Sequence, residues 1–280
     1  MLKTNYHTHT SFCDGKGTPS EIAEIAINKG FSLLGFSSHS MYPFASTWHI
    51  APREFSAYKE SVMQAKSAYS GRLQILYGYE ADFVPGLTKP DFDCYKSLAP
   101  DYLIGSVHYI ITKNGRLAVD YSADALKQKL DELFDGDSKK MTQEYFALER
   151  EMLRTASFTI IGHADLVRKN NTKLMLFDEN DGWYRSELKA TADAIARAGV
   201  IAEINTGAIA RGTMDSVYPS AEFLSLLHER GVPITFSSDA HDPQLLDCAF
   251  DRAKAAARSA GYTEVAYLTA DRRVKFQKID

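Results

Sequence analysis

The residues with chemistry to offer stand in short motifs: Tyr6-His7-Thr8-His9, Ser38-His39, Gly78-Tyr79-Glu80, Ser106-Val107-His108, Gly162-His163 and Ser238-Asp239-Ala240-His241. Each follows a short apolar run of the kind that forms a β-strand. Imidazole and carboxylate groups together are ligand chemistry for zinc, manganese or iron. Residues two apart on a strand face the same side, so His7 with His9, and Asp239 with His241, can enter one cavity. Glu80 ends the run Ile75-Leu76-Tyr77-Gly78-Tyr79, where an unpartnered carboxylate would be costly. A place between two cations would satisfy both its oxygens; a salt bridge to Lys or Arg is the plainer alternative. For Asp239 the plainer alternative is a helix cap, and for Asp14, in Asp14-Gly15, an ordinary turn. His108 and His163 each follow a glycine-containing strand end, where the missing side chain permits close backbone approach. His49 belongs to a loop, with covering the site or binding substrate as its open roles, and His228 to a helix surface.

The elements that must position these groups alternate. Strand patterns cover residues 3–6, 33–37, 73–79, 102–107, 158–162, 201–205 and 233–237, with a further candidate at 265–268. Helical patterns cover 19–29, 52–69, 123–133, 142–155, 183–198, 219–230 and 243–260. Thr18-Pro19-Ser20-Glu21 and Tyr218-Pro219-Ser220-Ala221 place proline at a first helical turn. Gly30, Gly199, Gly231 and Gly261 each follow a helical stretch, as helix ends require. Strand–helix alternation implies a parallel sheet. Seven or eight such units without a Gly/Ser-rich linker favour a closed barrel and one domain over residues 1–280. The long departures at 41–53, 84–100 and 169–182 follow strand ends, where a barrel carries its active-site loops. Residues 135–140 read as a polar surface loop.

Composition narrows the classes. The chain has 280 residues, 45% hydrophobic and 24% charged, which is ordinary for a globular protein. A net charge of −4 offers no basic field for nucleic acid or an anionic membrane. No apolar run approaches the roughly 18 residues of a membrane span. Cys13, Cys94 and Cys248 are too few and too scattered for a disulfide framework. The first motif begins almost at Met1, leaving no signal-peptide pattern. A reducing cytoplasm is the expected setting.

Together, His7-Thr8-His9, Asp14-Gly15, Thr18-Pro19, Ser38-His39, Glu80, His108, Gly162-His163 and Ser238-Asp239-Ala240-His241 resemble the polymerase-and-histidinol-phosphatase (PHP) superfamily over nearly the whole chain. The stretches Gly78–Phe83, Leu103–Tyr109, Glu203–Gly207 and Val217–Ser220 are similar to its monofunctional histidinol-phosphatases in particular. The resemblance implies an α/β fold, a distorted (β/α)7 TIM-like barrel, with two to three divalent ions (zinc, manganese or iron) at the C-terminal strand ends. By the same resemblance His7, His9, Glu80 and Asp239 would hold one ion, and Glu80, His108 and His163 a second. His39 and His241, with Asp14, would hold a third.

The implied reaction is hydrolysis of L-histidinol phosphate to L-histidinol and phosphate, within histidine biosynthesis. Attack by a metal-bridging hydroxide is the expected route. Neither a Cys-x5-Arg nor an Asp-x-Asp-x-Thr motif is present to support a covalent phosphoenzyme. Arg168 and Arg211 are the expected phosphate ligands, since a guanidinium binds phosphate through two parallel hydrogen bonds; a surface ion pair is the plainer alternative for each. Lys169 and Lys173 lie nearby but read as solvated loop lysines. Asp165 is a candidate proton donor to the leaving oxygen. An acidic and aromatic pocket for the imidazole and amine would draw on Asp82, Tyr109, Tyr42, Trp48 and Asp165. The partner is thus a small-molecule phosphate monoester. The competing expectation is a PHP-type phosphoesterase acting on nucleotides, nucleic-acid ends or phosphotyrosine, and the absence of a Lys/Arg cluster argues against a nucleic-acid strand.

Overall fold

Strands covered on both faces read as continuous apolar runs, and seven such runs form the frame of this chain. A computed structural model describes residues 1–280. The strands are β1 (Thr4–Asn5), β2 (Leu33–Phe36), β3 (Gln74–Asp82), β4 (Tyr102–Ser106), β5 (Ile160–Ile161), β6 (Ile201–Asn205) and β7 (Ile234–Ser237). They pair in that order and every pairing is parallel. Beyond β1 and β7 a parallel bridge between Thr8 and Ala240 brings the first strand round to the last. The result is the nearly closed seven-stranded barrel the alternation predicts, with helices around it.

Two glycines make the interior possible. Tyr102 projects across the barrel and donates to the Tyr6 carbonyl at 2.5 Å. A Cβ on Gly78 would lie 2.5 Å from the Tyr102 ring and 2.7 Å from its carbonyl oxygen; one on Gly35 would lie 2.4 Å from its hydroxyl. Gly78→Ala is therefore expected to destabilise the fold by about 1–3 kcal/mol, the usual cost of overpacking. Urea denaturation should show a lower midpoint with an unchanged slope.

The foot of the barrel is closed by apolar packing of Tyr6, Leu33, Leu76, Tyr102, Ile104, Ile160 and Ile201 against Ala266 and Leu268. Ala266 and Leu268 belong to an antiparallel hairpin, Glu264–Leu268 with Val274–Lys278. The candidate strand at 265–268 is thus a plug and not an eighth barrel strand.

Several boundaries differ from the sequence patterns for local reasons. Asp137 accepts from Lys140 N at 2.9 Å and so caps a helix over Ser138–Thr155, which takes in residues 138–140 of the expected loop at 135–140. The helix expected from Pro219 starts at Ala221, because Ser220 is the cap and accepts from Phe223 N. Pro52–Glu54 forms a tight turn before the helix Phe55–Ala68, and Pro243–Leu245 another before Phe250–Ser259. A second hairpin, Tyr109–Thr112 with Gly115–Ala118, extends from the end of β4 and has no counterpart in the sequence reading. No helix is long and apolar enough to cross a membrane.

Candidate metal centre

Backbone pairing aims the motif residues at one point above the barrel. The Thr8–Ala240 bridge sets His7 and His9 beside Asp239. Asn5 fixes the turn into this segment: its Oδ1 accepts from His7 N, and its Nδ2 donates to Ser238 Oγ at 2.7 Å. After β2 the chain breaks at Ser37-Ser38 and pairs again at His39–Ser40, alongside Glu80–Ala81. β3 itself runs on to Asp82, so Glu80 lies inside the strand and not at its end. Asp239 adopts a left-handed backbone (φ 50°), an uncommon conformation tolerated at functional sites by Asp and Asn.

Glu80, 1% exposed, sits among five imidazoles, the fifth being His9, whose Nε2 lies 3.6 Å from Oε2. Its Oε2 is 3.0 Å from His7 Nε2 and 2.7 Å from His39 Nδ1; its Oε1 is 2.9 Å from His163 Nε2 and 3.4 Å from His108 Nε2. Asp239 Oδ1 lies 3.0 Å from His9 Nε2 and 3.7 Å from His7 Nε2. Asp14 reaches His241 Nε2 at 3.3 Å and His39 Nε2 at 3.7 Å. No Lys or Arg contacts Glu80. The cap of the turn after β7 is Asp242, whose side chain accepts from Gln244 N, and not Asp239.

Four overlapping ligand groups result, each with its atoms within 4.8 Å of one another: His7, His9 and Asp239; His7, Glu80 and His163; His39, Glu80 and His108; and His9, Asp14, His39 and His241. His7, His9 and His39 thus each serve two groups, a finer division than the three sets the resemblance implies. His7 Nε2, His39 Nδ1 and Glu80 Oε2 are buried without a hydrogen-bond partner despite their proximity. Lone pairs that converge without bonding one another fit a cation, so the donor set suits divalent ions.

The electrostatics agree. Burial alone would raise Glu80, yet His7, His39 and His108 hold its carboxyl well below the usual range. Burial would lower His108, but the Asp82 and Glu80 carboxylates outweigh it and lift the ring to about 10. His7 is likewise pushed up, burial being overcome by Glu203, Glu80 and Asp239. A ligating imidazole must be neutral, so an entering ion displaces protons from these rings. Affinity for a divalent ion should therefore fall as pH falls, about tenfold per unit for each proton displaced. Chelator competition at about pH 6 and about pH 8, with proton release followed in weak buffer, checks this. A pH-independent affinity would contradict it.

Beside the cluster opens a cleft of about 360 Å³, lined by Asp14, His39, Trp48, His108, His163, Asp239 and His241 together with Asp120, Tyr121, Lys169 and Arg211. Arg211 caps the C-terminus of the short helix Gly207–Ala210 after β6, and its fork engages Asp239 Oδ2 at 2.8 Å and the Asp239 carbonyl at 3.1 Å. Arg168 and Asp165 are not brought to the cleft. Arg168 Nε binds Glu179 at 2.9 Å and its Nη1 lies 3.4 Å from Asp165 Oδ2. Asp165 is fully buried and accepts from Ser220 N at 2.8 Å, which ties it to the cap of the helix Ala221–Glu229. Burial raises its carboxyl above the ordinary value despite Arg168. This pair braces the wall behind the cleft.

Of the expected substrate-pocket residues, Trp48 lines the cleft. Tyr109 packs near Trp48, its ring centroid 5.6 Å away. Tyr42 packs instead against Phe55 and Tyr95. Cys13 lies behind His9, its Sγ 3.7 Å from Nδ1. His228 is exposed.

Two carboxylates behind the ligands were not assigned that place from sequence. Glu203 holds His7 Nδ1 with both oxygens at 3.0 Å and accepts from His163 N and Asn205 Nδ2. Asp82 Oδ1 lies 2.6 Å from His108 Nδ1. Such outer carboxylates fix the ring that faces a metal. The available signal was a carboxylate inside an otherwise apolar strand, the same one that exposed Glu80.

A family model for the PHP domain matches residues 5–207. A Deinococcus radiodurans protein named "Probable histidinol-phosphatase" is 30% identical over 243 residues, covering 85% of each chain. The histidinol-phosphatase of Bacillus subtilis is 25% identical, covering 86% of this chain and 94% of its own. Among solved structures, the histidinol phosphate phosphatase of Lactococcus lactis, complexed with zinc, L-histidinol and phosphate, superposes with a TM-score of 0.71 at 18% identity, covering 99% of each chain. Asp239 and His241 lie beyond the matched segment, yet the barrel closes them onto His7 and His9. With the barrel, the histidine–carboxylate centre and the family match in agreement, the chain belongs to the PHP domain family.

Proposed function

We propose that this chain is a metal-dependent phosphoric monoester hydrolase that converts L-histidinol phosphate to L-histidinol and phosphate, the whole of residues 1–280 acting as one catalytic unit in the cytoplasm. The observation that carries the reading is Glu80, buried among five imidazoles at the open end of the barrel, with Asp239 and Asp14 completing the donor set. His7, His9, His39, His108, His163 and His241 with those three carboxylates would hold two to three divalent ions, zinc, manganese or iron. Such ions supply water activation and neutralisation of charge on the phosphoryl group and leaving oxygen.

The rest falls to the chain's own groups. Arg211 is half-buried on the cleft wall and oriented by Asp239, so it can offer further N–H donors to a phosphoryl oxygen. Lys169 donates to the Asp120 carbonyl at 2.5 Å and adds a second positive charge to the same wall. Trp48 and Tyr121 present flat apolar surface to an imidazole ring, and the Asp120 carboxylate suits the substrate amine. The names of the Deinococcus and Bacillus relatives point to the same substrate.

The test is phosphate release from L-histidinol phosphate against a nucleoside monophosphate and an aryl phosphate, before and after metal removal and restoration. Strong metal-dependent preference for histidinol phosphate is expected. Equal or better turnover of the other esters would leave the metal centre standing and remove the substrate assignment.

A further inference from the structure

The two outer carboxylates differ in what stands behind them. Glu203 is locked within the barrel: its partners are His7, the His163 backbone and Asn205, all on strands or strand ends. Asp82 is shared. One oxygen takes His108 Nδ1, and the other takes Nε2 of His49, which arrives from the loop at 41–53. His49 is 4% exposed although its neighbours Pro43, Phe44, Ala45 and Thr47 are exposed. Behind it Ser46 Oγ lies 2.7 Å from His49 Nδ1. The same loop places Trp48 edge-on to His39, with ring centroids 4.6 Å apart, and to His108 at 5.3 Å.

The proton inventory of this chain is self-consistent. Ser46 donates its hydroxyl to His49 Nδ1, and His49 Nε2–H donates to Asp82. His108 Nδ1–H donates to the other Asp82 oxygen, so that once an ion displaces the second proton the His108 Nε2 lone pair would face the Glu80 side of the cluster. With Asp82 satisfied from both sides, His108 is held in the tautomer and orientation a metal requires. Without His49, one oxygen of a buried carboxylate loses its partner and the ring is free to turn.

We propose that His49 is a positioning residue that couples the covering loop to the ion held through His108, so that loop closure and ion occupancy stabilise each other. Coupling of this kind is reciprocal: whatever affinity the closed loop adds to the ion, the ion adds to closure of the loop. The proposal rests on the metal-centre reading above and adds a gate to it, since the residues that cover His39 and His108 then answer to the state of the site beneath them.

The experiment compares the intact wild-type chain with His49→Ala, His49→Gln and Ser46→Ala. Ion number and affinity are read by chelator competition with zinc. Loop opening is read by chymotryptic cleavage after Phe44, which is 45% exposed, with and without zinc. In the wild type, zinc should slow cleavage. In His49→Ala one ion should be held about 10–100-fold more weakly, the usual effect of removing an outer-shell partner, and zinc should no longer protect the loop. His49→Gln keeps an N–H that can reach Asp82 and should recover part of both effects. Ser46→Ala, outside the buried site, should move both readouts in the same direction by less.

If His49→Ala binds every ion as the wild type does, or its loop is protected by zinc as before, the coupling is overturned while the metal centre stands. If the wild type binds no divalent ion, the metal-centre reading fails and the coupling with it.

Discussion

Glu80→Gln should abolish most phosphate release, lowering kcat by about a thousandfold or more, or about 4 kcal/mol of barrier. It should also reduce the number of ions held. The substitution keeps the shape of the side chain and removes only its charge. Glu80 is the one group within reach of His7, His39, His108 and His163 at once, and it belongs to two of the four ligand groups. An amide there offers one weak oxygen and an N–H that faces imidazole lone pairs. Folding should survive, because Ser106 Oγ can still donate to the side-chain oxygen and the rings can become neutral once the carboxylate that favours their charge is gone. Metal analysis beside a thermal melt separates the two effects. Turnover near the wild-type rate with a full complement of ions would show that Glu80 bridges nothing.

The barrel was legible in the sequence because a parallel strand buried on both faces has little freedom in composition. Six of the seven runs from residues 3–6 to 233–237 contain their strand, and the seventh, 73–79, falls short of β3, which runs on to Asp82. The metal cluster was legible for a related reason: a histidine or carboxylate at the mouth of a buried strand has few other uses. What escaped was geometry set by tertiary contact. Val265–Leu268 has the composition of a barrel strand, and only its partner, Val274–Lys278, makes it a plug. Asp82 stood in a matched stretch, but nothing in its spacing told that it would face His108 on one side and a loop histidine 33 residues earlier on the other. Arg168 and Arg211 looked alike, both a few residues beyond strand ends. Which of them turns inward depends on where Glu179 and Asp239 fall, and those are placed by the fold of the 169–182 stretch and by the end of β7, not by the strand that carries each arginine.

That distinction gives the second large effect. Arg211→Ala should lower kcat/KM by about 100–1000-fold, the range for removing one preorganised donor to a reacting oxygen, with little loss of stability. Arg211 lines the cleft and its side chain is 35% exposed, so its removal leaves water access to Asp239. Arg168→Met should do the reverse. The Arg168 side chain is 9% exposed and stands between Glu179 and the fully buried Asp165. Removing the cation leaves a buried carboxyl without its counter-charge, which costs about 3–5 kcal/mol in comparable buried pairs. Denaturant melts should therefore shift strongly for Arg168→Met and slightly for Arg211→Ala, while turnover by the folded fraction should follow the opposite order. Ion content bears on the first variant as well, because Arg211 also orients Asp239. If Arg211→Ala loses an ion in step with its activity, the guanidinium acts through its carboxylate partner; if ions are retained and KM for the phosphate ester rises, it binds the phosphoryl group directly. A Arg168→Met protein that is stable but inactive would move phosphate recognition to Arg168 and require the wall behind the cleft to open during the reaction.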